Sequence, residues 1–293
     1  MKIIFERIKN IKKLEYILLS IILIFAFIIR LYKIRNPIAD WHSWRQADTA
    51  SVSRTFLERG IDLFYPRYHD VSSIQTGIFN PEGYRFVEFP VFNAVHALLA
   101  KNFPALSPEI WGRLVSIFSA LASTVFIFLI AKELMGKRVA LLAAFFFAFI
   151  PYNIYFTRVI LPEPMATTFA LASLWLFTKF LGRERFIYLC LSGAAFGLSM
   201  LIKPFTFFYI LPFIYLAHKK YGLETIYKTP KLLIRFLVFV TIALVPFFVW
   251  RAWINQYPAG IPFFSWAFNG DGIRFRPSFW RWIFGERLGH LIL

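Results

Sequence analysis

The run LVSIFSALASTVFIFLIA, residues 114–131, carries no charge over its whole length and is closed by Arg113 on one side and Lys132 on the other. A backbone crossing about 30 Å of hydrocarbon must satisfy its own hydrogen bonds, and a helix of roughly 20 mostly apolar residues does this. The flanking cations reach toward headgroups, so the helix extends past the charge-free run. On either side of this stretch, similar runs occupy residues 16–31, 139–157, 164–178, 186–202, 204–217 and 236–250. The pattern predicts an all-α, polytopic transmembrane helix bundle of about seven spans, with a large extracytoplasmic loop containing short amphipathic helices.

Composition agrees with that reading. Of 293 residues, 58% are hydrophobic and 20% aromatic, with 37 Phe, while only 17% are charged. A water-soluble domain carries about a quarter charged residues and could not hide this much Phe. Disorder, a coiled coil and a disulfide scaffold are excluded on the same grounds, since Cys190 is the only cysteine. The net charge of +17 comes from 33 basic against 16 acidic residues. In a soluble chain it would suggest nucleic acid, but here its distribution reads as a topology signal, and no nucleic-acid partner is expected.

Residues 1–13 hold Lys2, Arg7, Lys9, Lys12 and Lys13, and no small-residue cleavage site follows the apolar run behind them. They read as a cytoplasmic N-terminus ahead of an uncleaved first span, 14–31. Alternating the spans then places Lys132/Lys137/Arg138, Lys179/Arg183/Arg185 and the cluster from Lys219 to Arg235 on the cytoplasmic side. Residues 32–113 form an extracytoplasmic loop too long for a passive connector, 114–250 the remaining bundle, and 251–293 an extracytoplasmic C-terminal segment. The expected location is the cytoplasmic membrane of the cell, with the loop outside.

Within the loop, residues 43–60 read as an amphipathic helix with Trp44, Ala47, Val52 and Phe56 at helical spacing and Gly60 as its stop. A polar-aromatic patch, FNPEGYRFVEFP at 79–90, leads into a second short helix at about 91–101. Asp40 stands before the first helix, Asp48 inside it, and Glu88 between Val87 and Phe89-Pro90, an apolar setting. Separated carboxylates of this kind suit a base that takes a proton from a hydroxyl and a second acid that orients it. Their plainer readings are a helix cap for Asp40, a surface partner of Arg45 for Asp48 and a solvated loop acid for Glu88. At the short outer turns stand Arg158 and Glu163, in TRVILPEP at 157–164, and Lys203, before Pro204. With Arg251, the cations suit a lipid-linked phosphate whose tail stays in the bilayer.

The succession of a basic-flanked first span, Asp40-Trp-His-Ser-Trp-Arg-Gln-Ala-Asp-Thr-Ala50, Val87-Glu-Phe-Pro90 and Thr157-Arg-Val-Ile-Leu-Pro-Glu-Pro164 resembles the C-type (GT-C) glycosyltransferase superfamily. Within it, the chain is similar to the bacterial branch of protein O-mannosyltransferases and the aminoarabinose transferase of lipid A. The resemblance implies transfer of a sugar from a polyprenyl-phosphate donor to a lipid, polysaccharide or protein acceptor at the outer face, with inversion. It implies an acid after the first span as base, Asp40 or Asp48, and a second acid, Glu88. His42, Arg45, Gln46, Arg158, Glu163, Lys203 and Arg251 complete the expected substrate contacts. Many relatives carry an Asp-Glu dipeptide at the loop helix, whereas here Trp41 follows Asp40 and Thr49 follows Asp48. Asp40 is favoured by its place at the helix entrance. Relatives also continue through further spans, so the chain reads as C-terminally incomplete.

Phosphate leaves readily, so no acid need protonate it and no cofactor is required. A divalent cation is a weaker expectation: His42, Asp48, Glu88 and His96 are ligand types at no recognisable spacing, and His96 reads as a packed core histidine. The competing functions are a lipid or sugar transporter, which would concentrate polar groups at mid-bilayer, a two-carboxylate membrane glycoside hydrolase, and a non-catalytic fragment of a transferase.

Overall fold

The computed structural model describes residues 2–38, 42–263 and 269–289 of the chain, with side chains from residue 14 onward. Its helices are α1 (Lys2–Arg30), α2 (Ser43–Arg59), α3 (Val91–Asn102), α4 (Pro108–Met135), α5 (Lys137–Phe149), α6 (Pro151–Phe156), α7 (Glu163–Arg183), α8 (Phe186–Ile202), α9 (Ile210–Tyr221), α10 (Leu223–Lys228), α11 (Pro230–Ile254) and α12 (Pro277–Arg281). No strand occurs among the described residues; a single bridge pairs Arg67 with Tyr84. The expected all-α class holds. By length and composition α4, α7 and α11 are able to cross a membrane, and α8 is a shorter apolar helix.

The long helices pack in a row, α1 and α5 against α4, α4 against α7, α7 against α8, and α8 against α11. Lipid tails are as apolar as Leu, so small residues and interhelical hydrogen bonds hold such a row together. Ser173 and Ser192 hydroxyls lie 3.0 Å apart across α7 and α8, Ser199 donates to Ala166 O at 2.7 Å, and Ser123 meets Thr168 at 2.9 Å across α4 and α7. Between α8 and α11 the close approach is made by glycine. A Cβ on Gly193 would stand 3.1 Å from Phe239 O, and one on Gly197 3.0 Å from Ile242 O. Pro246 has no N–H to offer the Ile242 carbonyl four residues earlier, which leaves that oxygen turned toward Gly197.

Charged contacts mark the two ends of the row. Glu15 pairs with Lys132 at 2.7 Å and Lys137 at 3.5 Å, while Glu133 takes Lys179 and the Thr178 hydroxyl. The middle of α1, where its apolar run begins, the α4–α5 turn and the end of α7 therefore share one end. At the other end the buried Arg30 guanidinium reaches Thr157 Oγ1 at 2.8 Å and Ala148 O at 3.0 Å. A core of Ala50, Phe92, Val115, Ile160, Met165 and Ile202 fastens α2 and α3 onto α4, α7 and α8 at this second end.

Two of the expected spans are interrupted. The run 139–157 divides into α5 and α6 at Pro151, because proline cannot donate to Phe147 O; the Asn153 side-chain amide donates to that oxygen instead, at 2.5 Å. The run 204–217 begins with a 3-10 turn, Pro204–Tyr209, before α9 takes over. The short loop helices appear as expected, but the buried stripe of α2 differs. Trp44 is 63% exposed, and the buried side holds Gln46, Thr49, Ser53 and Thr55 beside Val52 and Phe56. Polar residues face inward because α3 and the 157–162 turn supply partners: Asn93 Nδ2 donates to Thr49 O at 2.7 Å, and Gln46 Oε1 accepts from Ile160 N at 3.2 Å.

Candidate active site at the loop end of the bundle

Four elements bring charged side chains to one place. The first turn of α2 supplies Arg45, and Asp48 follows one turn later. Lys203 stands where α8 stops, because the following Pro204 disfavours helical backbone at its predecessor, whose φ is −149°. Glu163 opens α7, where the helix N-terminus favours an acid. The stretch 84–89 carries Glu88 and is clamped from both sides: Phe89 N donates to Leu201 O at 3.0 Å, and Phe86 N to Gly260 O at 2.8 Å.

Glu88 is held by both Arg45 and Lys203, and Lys203 continues to Glu163 at 2.9 Å. Alongside, Arg85 binds Asp48 at 2.8 Å and lies over the Tyr68 ring, 5.0 Å from its centroid. Gln75 bridges the same pair, donating to Asp48 Oδ2 at 3.2 Å and accepting from Arg85. Burial pushes the Lys203 ammonium down to about 8, with the Glu163 charge opposing the shift. It lowers the Arg45 guanidinium too, against the neighbouring Glu163 and Asp48 charges. Each cation therefore depends on its carboxylate neighbours to remain charged where it is.

Of the residues expected at a site, Arg45, Asp48, Glu88, Glu163 and Lys203 converge. The apolar setting expected around Glu88 is instead an ionic one, since folding delivers two cations that sequence neighbours do not show. Asp48 pairs with Arg85 rather than Arg45. Arg158 lies apart, donating to Tyr32 O and stacking on the Tyr32 and Tyr155 rings, and Arg251 sits in the last turn of α11. Gln46 is wholly buried and fixes α2 to the backbone at Ile160. His42 takes the position before α2 in left-handed backbone, φ 59°, with its ring 5.6 Å from that of Phe156. Asp40 lies outside the described residues. His96 is the packed histidine expected: it is buried, Nε2 meets Pro108 O at 2.6 Å, its ring lies against Gly112, and burial pushes it below the usual imidazole value. Among the described residues no three His, Cys, Asp or Glu side chains are grouped to hold a metal.

Arg85, Gln75 and Tyr68 were not singled out by sequence reasoning. The one available signal was Arg85 itself, a cation between Tyr84 and Phe86 where an interfacial loop would favour neutral residues.

Next to the charged cluster lies a cavity of about 480 Å³ between α2, α4, α6 and α7. Arg45 and Glu163 supply its charged groups, and the rest of its lining is mainly apolar, with Phe147, Phe156, Leu161 and Phe205, interspersed with Ser123, Asn153, Thr157 and Thr167. Glu163 gives one oxygen to Lys203; the other, Oε2, is buried without a hydrogen-bond partner. By contrast, the space enclosed by Asp48, Arg85, Glu88 and Asn93 is only about 10 Å³, room for one water at most.

Residues 90–250 match the model of a family described as dolichyl-phosphate-mannose-protein mannosyltransferase, more than half of the chain. The match includes Glu163 and Lys203 and begins just after Glu88. No curated protein and no solved structure matches the chain.

Proposed function

The chain belongs to the dolichyl-phosphate-mannose-protein mannosyltransferase family and so is a membrane glycosyltransferase; from that premise we propose that it transfers a sugar from a polyprenyl-phosphate carrier to an acceptor at the outer face of the membrane. The observation that carries this reading is the 480 Å³ cavity, which sets the charged Arg45 and Glu163 among mainly apolar and aromatic side chains and so suits a ligand with a polar headgroup and a prenyl tail. The loop face of the bundle is taken as extracytoplasmic because the basic turns lie at the opposite end.

In the proposed step the acceptor oxygen attacks the anomeric carbon while the bond from that carbon to the phosphate oxygen breaks. The electron pair leaves with the phosphate, and the acceptor proton passes to a loop carboxylate. One displacement inverts the anomer. Asp40 and Asp48 are the candidates for the base, and Glu88 orients Arg45 and Lys203, whose charges offset the charge growing on the departing phosphate. Glu163, which lines the cavity beside Arg45, offers its carboxylate to a sugar hydroxyl.

The test is turnover of a panel of polyprenyl-phosphate sugars by the protein in lipid, comparing wild type with Asp40→Asn, Asp48→Asn and Glu88→Gln. Consumption of one donor, abolished in Glu88→Gln and in one of the two Asp variants, is expected and identifies the base. A folded wild-type protein that consumes no donor would refute the reading.

A further inference from the structure

A second cleft, of about 460 Å³, opens on the loop side of the molecule and shares no lining residue with the cavity described above. Its apolar wall is aromatic: Phe56 from α2, Tyr65 and Tyr84 from the loop, and Tyr257 from just beyond α11. No Leu, Ile, Val or Met lines it. Its polar wall is Arg59, Asp62 and Arg67.

The rings are fixed. Tyr65 packs against Tyr84, Trp253 and Tyr257 with centroids 5.7–5.9 Å apart, and the Tyr65 and Tyr257 hydroxyls meet at 3.2 Å. Arg67 lies over the Tyr84 ring at 5.1 Å while pairing with Glu82 at 3.0 Å. Gly260 backs the wall so closely that a Cβ there would stand 2.7 Å from Tyr84 Cβ. Arg59 is exposed and makes no ion pair among the described residues.

Lining of this kind selects by chemistry. A lipid chain or an aliphatic peptide side chain finds no aliphatic slot here, in contrast with the groove of Leu18, Ile21, Ile22, Leu141 and Leu142 between α1 and α5. A pyranose has an apolar C–H face that lies on an aromatic ring and a rim of hydroxyls that need both donors and acceptors. Rigid tyrosines beside two guanidiniums and a carboxylate supply both. The cleft is also joined to the charged cluster through one short stretch of chain. Tyr84 faces the cleft, while the next residue, Arg85, binds Asp48.

We propose that this cleft is a saccharide-binding subsite that holds a glycan acceptor, so that the substrate receiving the new sugar is itself a carbohydrate. This rests on the transferase reading for the word acceptor, but not for the binding. The free guanidinium of Arg59 adds a preference for glycans bearing a carboxylate.

The experiment is binding of the purified protein in lipid nanodiscs to an array of neutral and uronic-acid-containing mono- to tetrasaccharides, with donor turnover measured separately. Wild type is expected to bind a defined subset. Tyr65→Phe/Tyr257→Phe, which keeps the rings, should weaken that binding, and Tyr65→Ala/Tyr257→Ala should weaken it about tenfold or more. Arg59→Gln, at an exposed unpaired site where folding is not at stake, should lose acidic glycans selectively. Failure to bind any glycan overturns the proposal, as does binding that survives unchanged in the Ala and Arg59→Gln variants. Glycan binding without turnover of any donor would uphold the cleft and refute the transferase reading; turnover without glycan binding would do the reverse.

Discussion

Lys203 is the residue on which the charged cluster turns, because it touches both Glu88 and Glu163 while buried. Its ammonium, at about 8, lies below the usual 10.5 of lysine. Raising the pH through about 8 therefore removes the charge that links the two acids. Turnover should fall along that limb, and Lys203→Arg, whose guanidinium remains charged, should carry the limb to higher pH; an unchanged alkaline limb would separate Lys203 from the reaction. The sign for stability is opposite. With the folded value below the unfolded one, this group's contribution is fully present above pH 10.5 and is lost as pH falls through about 8, so alkaline conditions that weaken the cluster do not weaken the fold through Lys203. Arg85 is the second residue to test. Removing it strands a largely buried Asp48, and Arg85→Ala should cost about 3 kcal/mol in unfolding and lower turnover. Equal stability of the variant in a denaturant or thermal titration would mean that Gln75 alone satisfies Asp48. The acids at 48, 88 and 163 were legible in the sequence, Asp48 inside the first loop helix, Glu88 in the polar-aromatic patch and Glu163 at a short outer turn. Their partners were not, since Arg45 and Glu88 are 43 positions apart and meet only by folding.

At the level of elements, the break between α5 and α6 shows local chemistry outweighing the hydrophobic run. Hydropathy makes 139–157 one helix, yet Pro151 ends it, and the chain turns there to bring Tyr152, Asn153, Phe156 and Thr157 to the cavity. Asn153 mends the break by bonding Phe147 O, so Asn153→Ala should cost about 1–2 kcal/mol of stability and disturb the cavity wall. Thermal unfolding together with donor affinity would check it; a change in neither would mean that the carbonyl finds another partner. The Pro was visible in the sequence, and its consequence could be inferred. The polar stripe of α2 could not. Gln46, Thr49 and Ser53 look like a solvent face until α3 and the 157–162 turn are laid against them.

For the whole molecule, the decisive arrangement is the separation of ends. Basic turns collect where Glu15, Lys132, Lys137, Glu133 and Lys179 meet, and the loop helices, both cavities and the charged cluster lie away from them. This orientation predicts that, in a Cys190→Ser background, a cysteine at Ser73 reacts with an impermeant thiol reagent from outside intact cells, and one at Lys219 only after the membrane is opened. Both positions are exposed. The reverse pattern would turn the molecule over and remove the outer-face site.

Composition and hydropathy alone were enough to read a helical, membrane-type protein, and they carried the expectations that its basic turns face the cytoplasm and that its long loop holds reactive groups. Each of these depends on composition or on periodicity within a single segment, and hydrocarbon imposes the same rule on every spanning segment. Which charges meet follows from packing. Glu88 comes from the loop, Arg45 from α2, Glu163 from the start of α7 and Lys203 from the end of α8, and their pairing follows from how α7 and α8 pack and how residues 84–89 dock against Leu201 and Gly260. Coulomb attraction strengthens as charges approach one another and leave water, and such an approach between residues so distant in sequence is a property of the packed helices.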